Sequence, residues 1–355
     1  MRGAARSVKK NLLRFLGFSV IFASLFVLLG EAYTFHGDEA EKLRQFYNEP
    51  KDSIDVLLFG SSDILAAVVP PVLWGEAGVV SYNLGKELNF CFMQYFWLVE
   101  ALRYQSPSLV ILNGRYVYMQ DGNIDAYEQF VWQTLDPMRM SRHKLESIRD
   151  VAARGKKQAL LYYLFPLLRY HNRDGLQMSD FHFAGAKQRH PLMGGLYHND
   201  RYMESMPLER PGGFDDEDRC VDVARNTEYL TKMVALCKER GIDVLLLAAP
   251  TYCDWWAWSP GAHQAMQDYA DEHGIGLLDF NTLELQHAIS WDDGIDFYNE
   301  DHTSIGGGTK ITRYLAQYIA QRYAIPDRRA GGYDLFYDVA LENYREMYNR
   351  YLEQL

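Results

Sequence analysis

The chain has 355 residues, of which 48% are hydrophobic and 23% are charged. This length allows one large α/β domain with an insertion, or two modest domains. The net charge is −11, and residues 1–30 contain five basic residues and no acid, so the rest of the chain is more acidic still. Because phosphate binding needs a basic surface, this balance argues against nucleic acid as a partner.

The N-terminal segment has the composition of a membrane anchor. Residues 12–29 are almost entirely apolar, and Arg14 can extend its charge to the headgroups. The basic residues before this run predict a cytoplasmic N-terminus and a main domain outside the cytoplasm. We expect residues 1–36 to form a basic tail and a single-pass anchor in the cell membrane. A cleavable signal peptide is the alternative, although Gly30-Glu31-Ala32 is a poor small-x-small cleavage site.

Apolar runs and amphipathic stretches alternate along much of the body. Strands are predicted at 54–59, 79–83 and 109–112, with a buried helix at 90–104. The alternation returns with a helix at 221–240, a strand at 244–249, a helix at 262–273, a strand at 276–280 and a helix at 309–323. These βα intervals predict an α/β fold with a parallel sheet covered by helices.

Two further segments interrupt or extend this pattern. Residues 114–220 contain no repeated βα unit, only helical fragments at 125–135, 142–153 and 158–170, and are expected to form a lid-type insertion or a binding subdomain. We expect an extracytoplasmic domain over 37–325, followed by a helical extension over 326–355. Its helical spacing indicates packing on the domain, a partner or the membrane surface.

The first predicted strand runs into Gly60-Ser61-Ser62 and then a helix. Free amides at the start of a helix stabilise negative charge, so a serine there is suited to acyl chemistry. The alternative is that Ser61 or Ser62 only caps the helix.

Other reactive residues are predicted at the same edge of the sheet, where the carboxyl ends of parallel strands meet. Gly85 follows the second strand and Asn113 follows the third. His302 stands in an acidic loop before the last core helix. A serine, a glycine amide, an asparagine and a histidine together suggest nucleophilic catalysis more strongly than any one of them does.

Over residues 54–104 and 220–323 the sequence resembles the SGNH (GDSL-like) hydrolase superfamily. Phe59-Gly-Ser-Ser62 is similar to the membrane-anchored branch that includes DltD-like and alginate O-acetylation proteins. The resemblance implies a three-layer α/β/α, flavodoxin-like fold. It also implies that Ser62 is the nucleophile, that His302 is the base, and that the amides of Ser62 and Gly85, with Asn113, form the oxyanion hole.

The sequence departs from this family at the acid. Asn299 stands three residues before His302, where the family has aspartate. The third member of a triad fixes the histidine tautomer and stabilises the imidazolium, and asparagine supplies no charge for the second task. Asp296 and Asp301 lie close enough in sequence to substitute. A Ser-His dyad and an inactive protein are the other possibilities.

The function expected from these residues is acyl-ester hydrolysis or O-acyl transfer on a cell-envelope polysaccharide or related polymer. The resemblance implies a membrane-bound O-acyltransferase as partner, and the chemistry needs no cofactor. One alternative is a catalytically impaired accessory protein that binds glycan or a membrane O-acyltransferase. Another is a secreted, lipase-like esterase, which predicts cleavage of the N-terminal segment.

Several other residues have weaker interpretations. Trp255, Trp256 and Trp258 are candidates for a sugar-stacking wall or for packing beneath the insertion. The insertion's histidines show no metal-ligand spacing, so no metal is assigned (His171, His182, His190 and His198). No two cysteines form a CxxC pair, which favours buried free thiols (Cys91, Cys220, Cys237 and Cys253).

Overall fold

The structure is a computed structural model that describes residues 2–34, 37–88, 90–119, 127–155, 160–170, 188–195, 227–252, 260–332 and 334–355. The chain forms two compact units. One comprises Met1–Glu41 with Trp132–Gln188, and the other comprises Lys42–Val131 with Arg189–Leu355.

A parallel sheet of five strands forms the second unit's core, which confirms the predicted α/β class. The strands are β1 (Val56–Phe59), β2 (Ser81–Asn83), β3 (Leu109–Asn113), β4 (Asp243–Ala248) and β5 (Gly276–Asp279). Their spatial order is β2-β1-β3-β4-β5, the flavodoxin-like order. The first strand therefore lies between β2 and β3, and the chain segments that follow these three strands emerge side by side.

The sheet is buried on both faces because its central strands are apolar at every position. On one face, Leu58, Ile111 and Leu247 pack with helical residues such as Ile311 and Leu315. Successive strand side chains point to opposite faces, so neighbouring residues such as Leu57 and Val110 face the other layer, and they too are fully buried.

The helices confirm most of the predicted α segments, with ends that differ by a few residues. In chain order they are α1 (Arg2–Ala32), α2 (Asp38–Phe46), α3 (Ser62–Ala67), α4 (Pro70–Ala77), α5 (Cys91–Ala101), α6 (Glu128–Leu135), α7 (Arg142–Arg154), α8 (Leu160–Leu164), α9 (Pro166–Tyr170), α10 (Glu228–Glu239), α11 (Pro260–His273), α12 (Leu283–Ala288), α13 (Asp293–Asp296), α14 (Ile305–Arg322) and α15 (Phe336–Leu352). Short 3-10 helices cover Gly114–Val117 and Arg328–Gly331.

The one helix predicted over 158–170 is two helices in the described part, α8 and α9. Proline fixes its own φ and disfavours helical geometry in the residue before it, so Phe165 lies outside both helices and Pro166 begins the second. Residues 156–159 lie outside the described residues, as do 120–126 and 201–226, where other predicted helices begin.

The N-terminal helix α1 contains a 22-residue stretch, Lys9–Gly30, with mean hydropathy 2.3 and no buried share. At about 1.5 Å per residue this stretch is roughly 33 Å long, which matches the hydrocarbon core of a bilayer. The described chain thus has one helix that is long and apolar enough to cross a membrane.

The free edge of β2 is covered by the turn at residues 190–194. The backbone amide of Asn83 donates to the Met193 carbonyl at 3.0 Å. Gly194 has φ +80°, and a Cβ there would lie 2.3 Å from the Asn83 carbonyl oxygen, so the turn needs glycine at this position. The Asn83 amide at this edge is therefore not available to pair with another chain.

The C-terminal helix α15 packs within the second unit, against α4 and α14. Trp74 Nε1 donates to Asp338 Oδ1 at 2.9 Å, and Tyr351 Oη donates to the Ile295 carbonyl at 2.9 Å. This helix was predicted to pack on the domain, a partner or the membrane surface, and in the structure it packs on the domain.

Candidate active site

The turn after β1 places Ser62 at the start of α3. Ser61 is the helix N-cap, with extended backbone, but its side chain makes no capping hydrogen bond. Gly60 is required by packing, since a Cβ there would lie 2.3 Å from Ile64 Cβ. The turn is further fixed by Gln94, whose Nε2 donates to the Gly60 carbonyl at 2.5 Å.

Ser62 and His302 meet although 240 residues separate them in sequence. The distance between Ser62 Oγ and His302 Nε2 is 2.7 Å. Burial lowers the pKa of His302 below its ordinary value, opposed by the nearby Asp63 and Asp301 carboxylates. The imidazole is therefore neutral at pH 7, the state in which a histidine can accept a proton from serine.

Asn299 occupies the position behind His302. His302 Nδ1 donates to Asn299 Oδ1 at 2.8 Å. The same oxygen accepts the backbone N–H groups of Asp301 and His302, each at 3.0 Å, so the oxygen and not the NH2 group of the amide must face the ring. The Nδ1–H tautomer follows, with a lone pair on Nε2 directed at Ser62.

The loop that carries His302 is a closed hairpin. Phe297 and Thr303 form an antiparallel bridge, and the Ser304 amide donates to the Asp296 carbonyl at 2.8 Å. Below it, Ser304 caps α14 with its side chain, which accepts the Gly307 amide at 3.2 Å. These bonds fix the position of the imidazole relative to α14.

A buried polar cluster lies beside the serine. Asn113 Nδ2 is 2.9 Å and 2.8 Å from the two carboxylate oxygens of Asp63, and Arg115 Nη1 is 3.4 Å from one of them. All three side chains are almost fully buried. The residue that follows Ser62, Asp63, is therefore part of a buried ion pair with Arg115. The pair forms because β3, which leads into Arg115, adjoins β1 in the sheet.

Gly85 lies against the same turn. A Cβ there would be 3.1 Å from the Leu65 amide nitrogen and 3.2 Å from the Ser61 carbonyl oxygen. Its backbone N–H donates to Asn83 Oδ1 at 2.9 Å. The predicted oxyanion donor is therefore next to Ser62, with its N–H engaged by Asn83 in this conformation.

The two acids considered as substitutes for Asn299 lie elsewhere. Asp296 is fully buried and its Oδ2 pairs with Lys310 Nζ at 2.6 Å. Burial raises the pKa of the Asp296 carboxyl, against the effect of Lys310. Asp301 is exposed, and its Oδ1 is 3.5 Å from Thr251 Oγ1. The structure thus places Asn299, and neither aspartate, at hydrogen-bond distance from His302 Nδ1.

Sequence reasoning missed three residues around this site: Asp63, Gln94 and Arg115. Each had a signal, since charged residues directly after Ser62 and two positions after Asn113 are unusual in buried segments. Gln94 stands in an otherwise apolar stretch of α5. A lone polar residue on a buried helix needs a partner, and here that partner is the Gly60 carbonyl.

Other predicted site residues give mixed outcomes. Trp255, Trp256 and Trp258 lie outside the described residues, as do His171, His182, His198, Cys220 and Cys253. Cys91 and Cys237 are buried free thiols, as expected. Within the described ranges, no group of three or more His, Cys, Asp and Glu side chains could hold a metal ion.

The chain was compared with protein families, curated proteins and solved structures. No protein-family model matches the chain, and no curated protein matches it in sequence. A solved structure from Bacteroides fragilis NCTC 9343, described as a "putative acylhydrolase", is similar over 81% of this chain and 99% of that chain, at 12% identity and a TM-score of 0.38. The likeness concerns the fold at most and assigns no family.

Proposed function

We propose that this protein is a membrane-anchored serine esterase or O-acyltransferase of the SGNH type, acting on acyl esters of a cell-envelope polysaccharide or related polymer. The observation that carries the proposal is the chain of hydrogen bonds Ser62–His302–Asn299, with distances of 2.7 Å and 2.8 Å. A serine, a neutral histidine and a third group that orients the histidine form the arrangement that activates a hydroxyl nucleophile.

In this mechanism His302 Nε2 takes the Ser62 proton while Oγ bonds to the acyl carbonyl carbon. The imidazolium then gives that proton to the departing alcohol oxygen, which leaves an acyl group on Ser62. Water or a sugar hydroxyl, deprotonated by the same nitrogen, attacks the acyl-enzyme and restores the serine. The choice between water and sugar decides between hydrolysis and transfer.

The negative oxygen of the tetrahedral intermediate needs hydrogen-bond donors near Ser62. The Ser62 amide at the start of α3 is one such donor. We propose Asn113 as the second, since a single nitrogen reaches both Asp63 oxygens best through one bifurcated hydrogen, which leaves its other N–H out of that contact. Gly85 contributes only if its amide exchanges Asn83 for the substrate oxygen.

The envelope location and the polymer substrate rest on the apolar helix α1 and on Phe59-Gly-Ser-Ser62. The basic residues at the N-terminal end of α1 support an orientation with the domain outside the cytoplasm. A membrane-bound O-acyltransferase is the partner that would deliver acyl groups there.

Labelling with a fluorophosphonate probe tests the proposed nucleophile. The full chain in detergent micelles should label, the Ser62→Ala variant should not, and Ser61→Ala should label like the parent. Ser61 is the matched control because it is the adjacent serine and its side chain makes no capping bond. Equal labelling of parent and Ser62→Ala would contradict the assignment.

The second candidate is an accessory protein that binds glycan or a membrane O-acyltransferase without catalysis. Asn299 favours it, because the site lacks the charge that stabilises an imidazolium. It predicts no Ser62-dependent labelling and no hydrolysis of acetyl-ester model substrates by a folded protein.

A further inference from the structure

The first compact unit carries an exposed apolar surface on α8 and α9, here called the α8–α9 patch. Its side chains are 36–54% exposed although they are large and apolar (Leu160, Leu161, Tyr162, Phe165 and Leu168). Contiguous exposed apolar surface on a folded protein indicates a partner or a membrane.

The charge in this segment is turned away from the patch. Arg169 is the only charged residue between positions 160 and 170. Its Nη2 pairs with Asp136 Oδ1 at 2.5 Å, both side chains are almost fully buried, and the guanidinium lies 4.8 Å from the Trp132 ring centroid. The exposed face is consequently uncharged, as a surface in contact with acyl chains must be.

Contact with α1 indicates what covers the patch. The Phe165 ring meets the Phe26 ring edge-on, with 5.3 Å between centroids. Phe26 lies four residues before the end of the apolar stretch Lys9–Gly30, roughly 6 Å along the helix axis. If α1 crosses the bilayer, Phe165 lies just inside the hydrocarbon boundary, at the depth where aromatic side chains collect.

We infer that the α8–α9 patch is a second membrane-contact element, which lies in the interface of the bilayer that α1 spans. This rests on the membrane anchoring in the proposed function. Helices that present an exposed apolar face lie in the interface with that face inserted shallowly, and tyrosines such as Tyr162 lie near the headgroups. A partner protein on the same patch is the competing occupant.

Nitroxide labels on the full chain, reconstituted in vesicles of phosphatidylcholine and phosphatidylglycerol, test the inference. Leu161→Cys reports on the patch, Phe22→Cys on the span, and Glu146→Cys on an exposed polar face of α7. The signal of the labelled parent chain is subtracted, and thermal unfolding confirms that each variant is folded. Labels at 22 and 161 should collide several-fold more with oxygen, relative to a water-soluble nickel chelate, than the label at 146.

Three other patterns of label accessibility would each overturn the inference in a distinguishable way. A label at 161 that behaves like the one at 146, while 22 is in lipid, overturns the inference and leaves the anchor intact. A label at 161 shielded from both oxygen and nickel identifies a protein interface and also overturns it. A label at 22 in water removes the anchor, and the inference with it, without touching the fluorophosphonate test of Ser62.

Discussion

In the proposed mechanism, Asn299 performs one of the two tasks of a triad acid. Its Oδ1 accepts from the His302 ring and from two backbone amides, so the side chain cannot rotate to present its NH2 group without losing both backbone bonds. The histidine tautomer is therefore correct without a charge. What Asn299 does not supply is a negative charge to stabilise the imidazolium. Asp63 and Asp301 provide part of that stabilisation from further away.

Replacing Asn299 by aspartate should add that stabilisation. The carboxylate would be held ionised by the same two backbone donors, and an adjacent opposite charge raises a histidine pKa by roughly one to three units. We expect Asn299→Asp to react with the fluorophosphonate about tenfold faster at pH 8, the effect of ~1.4 kcal/mol on the barrier. The acidic limb of its pH–rate profile should move to higher pH. An unchanged limb would show that the new carboxylate does not interact with His302. The control Asn299→Ala, which removes the acceptor, should react with the fluorophosphonate more slowly than the parent.

The parent protein has its own pH signature. Burial lowers the pKa of His302, and only the neutral ring can act as base, so reactivity should persist as pH falls through 6.5 and disappear at lower pH. The rate of fluorophosphonate labelling, measured from pH 4 to 9 with protein stability checked at each pH, gives this limb. A midpoint above 6.5 would contradict a buried, neutral base.

The site was predictable where a short motif carries the chemistry. Gly60-Ser61-Ser62 and His302 lie where strand ends and helix starts were expected, and the structure brings Ser62 and His302 into contact. The roles of Asp296 and Gly85 were not predictable. Lys310, 14 residues further along the chain, pairs with the Asp296 carboxylate, and Asn83 accepts the Gly85 amide. Hydrogen-bond partners depend on exact directions, which sequence spacing does not give.

At the scale of elements, the glycines at the start of α14 bring this helix close to α3. A Cβ on Gly308 would lie 2.6 Å from the Ala66 carbonyl oxygen, and one on Gly307 would lie 2.2 Å from the Asp296 carbonyl oxygen. Since α3 carries Ser62 and the loop before α14 carries His302, this close approach sets the separation of the two side chains.

Gly308→Ala should therefore weaken both fold and site. Overpacking against backbone costs about 1–3 kcal/mol, and relief by moving α14 would lengthen the Ser62–His302 distance. We expect a lower midpoint in thermal unfolding and slower labelling of Ser62. Gly261→Ala, in α11 with nothing within 4 Å of the new Cβ, is the control and should not lower stability. Equal behaviour of the two variants would mean that the close packing does not matter.

Sheet elements were easier to predict than the insertion. Apolar runs such as Val56–Phe59 have one stable environment, the middle of a parallel sheet, and their order follows from βα connection rules. The insertion has no such repeat, so the sequence predicted helical fragments but neither their ends nor the contact between Phe26 and Phe165. That contact joins two residues that are far apart in the sequence, and no local pattern encodes it.

At the scale of the whole molecule, His190 makes stability depend on pH. Burial, with help from Lys42, lowers the pKa of His190 to about 3. Its Nδ1 accepts the amides of Leu192 and Gly194, at 3.2 Å and 3.0 Å, in the turn that covers β2. Between pH 6.5 and 3 the unfolded chain binds a proton at this residue and the folded chain does not, so stability is complete above pH 6.5 and falls with pH.

His190→Asn should remove this dependence while keeping an acceptor near the Nδ1 position. At pH 5 the parent loses about 2 kcal/mol relative to pH 7 through this residue, and the variant should not. Denaturant unfolding at both pH values measures the difference. The same substitution at exposed His287 reports the general effect of losing a histidine, and an equal pH response in parent and His190→Asn would contradict the assignment.

The 240-residue separation between Ser62 and His302 also has a consequence for synthesis. A ribosome that adds about 5–20 residues per second takes roughly 20–70 s to complete the 355-residue chain. For most of that time Ser62 has no histidine, and α15, whose Tyr351 contacts Ser304 at the start of α14, is synthesised later still. In the proposed mechanism, Ser62 therefore has no general base until His302 has been synthesised and folded against it.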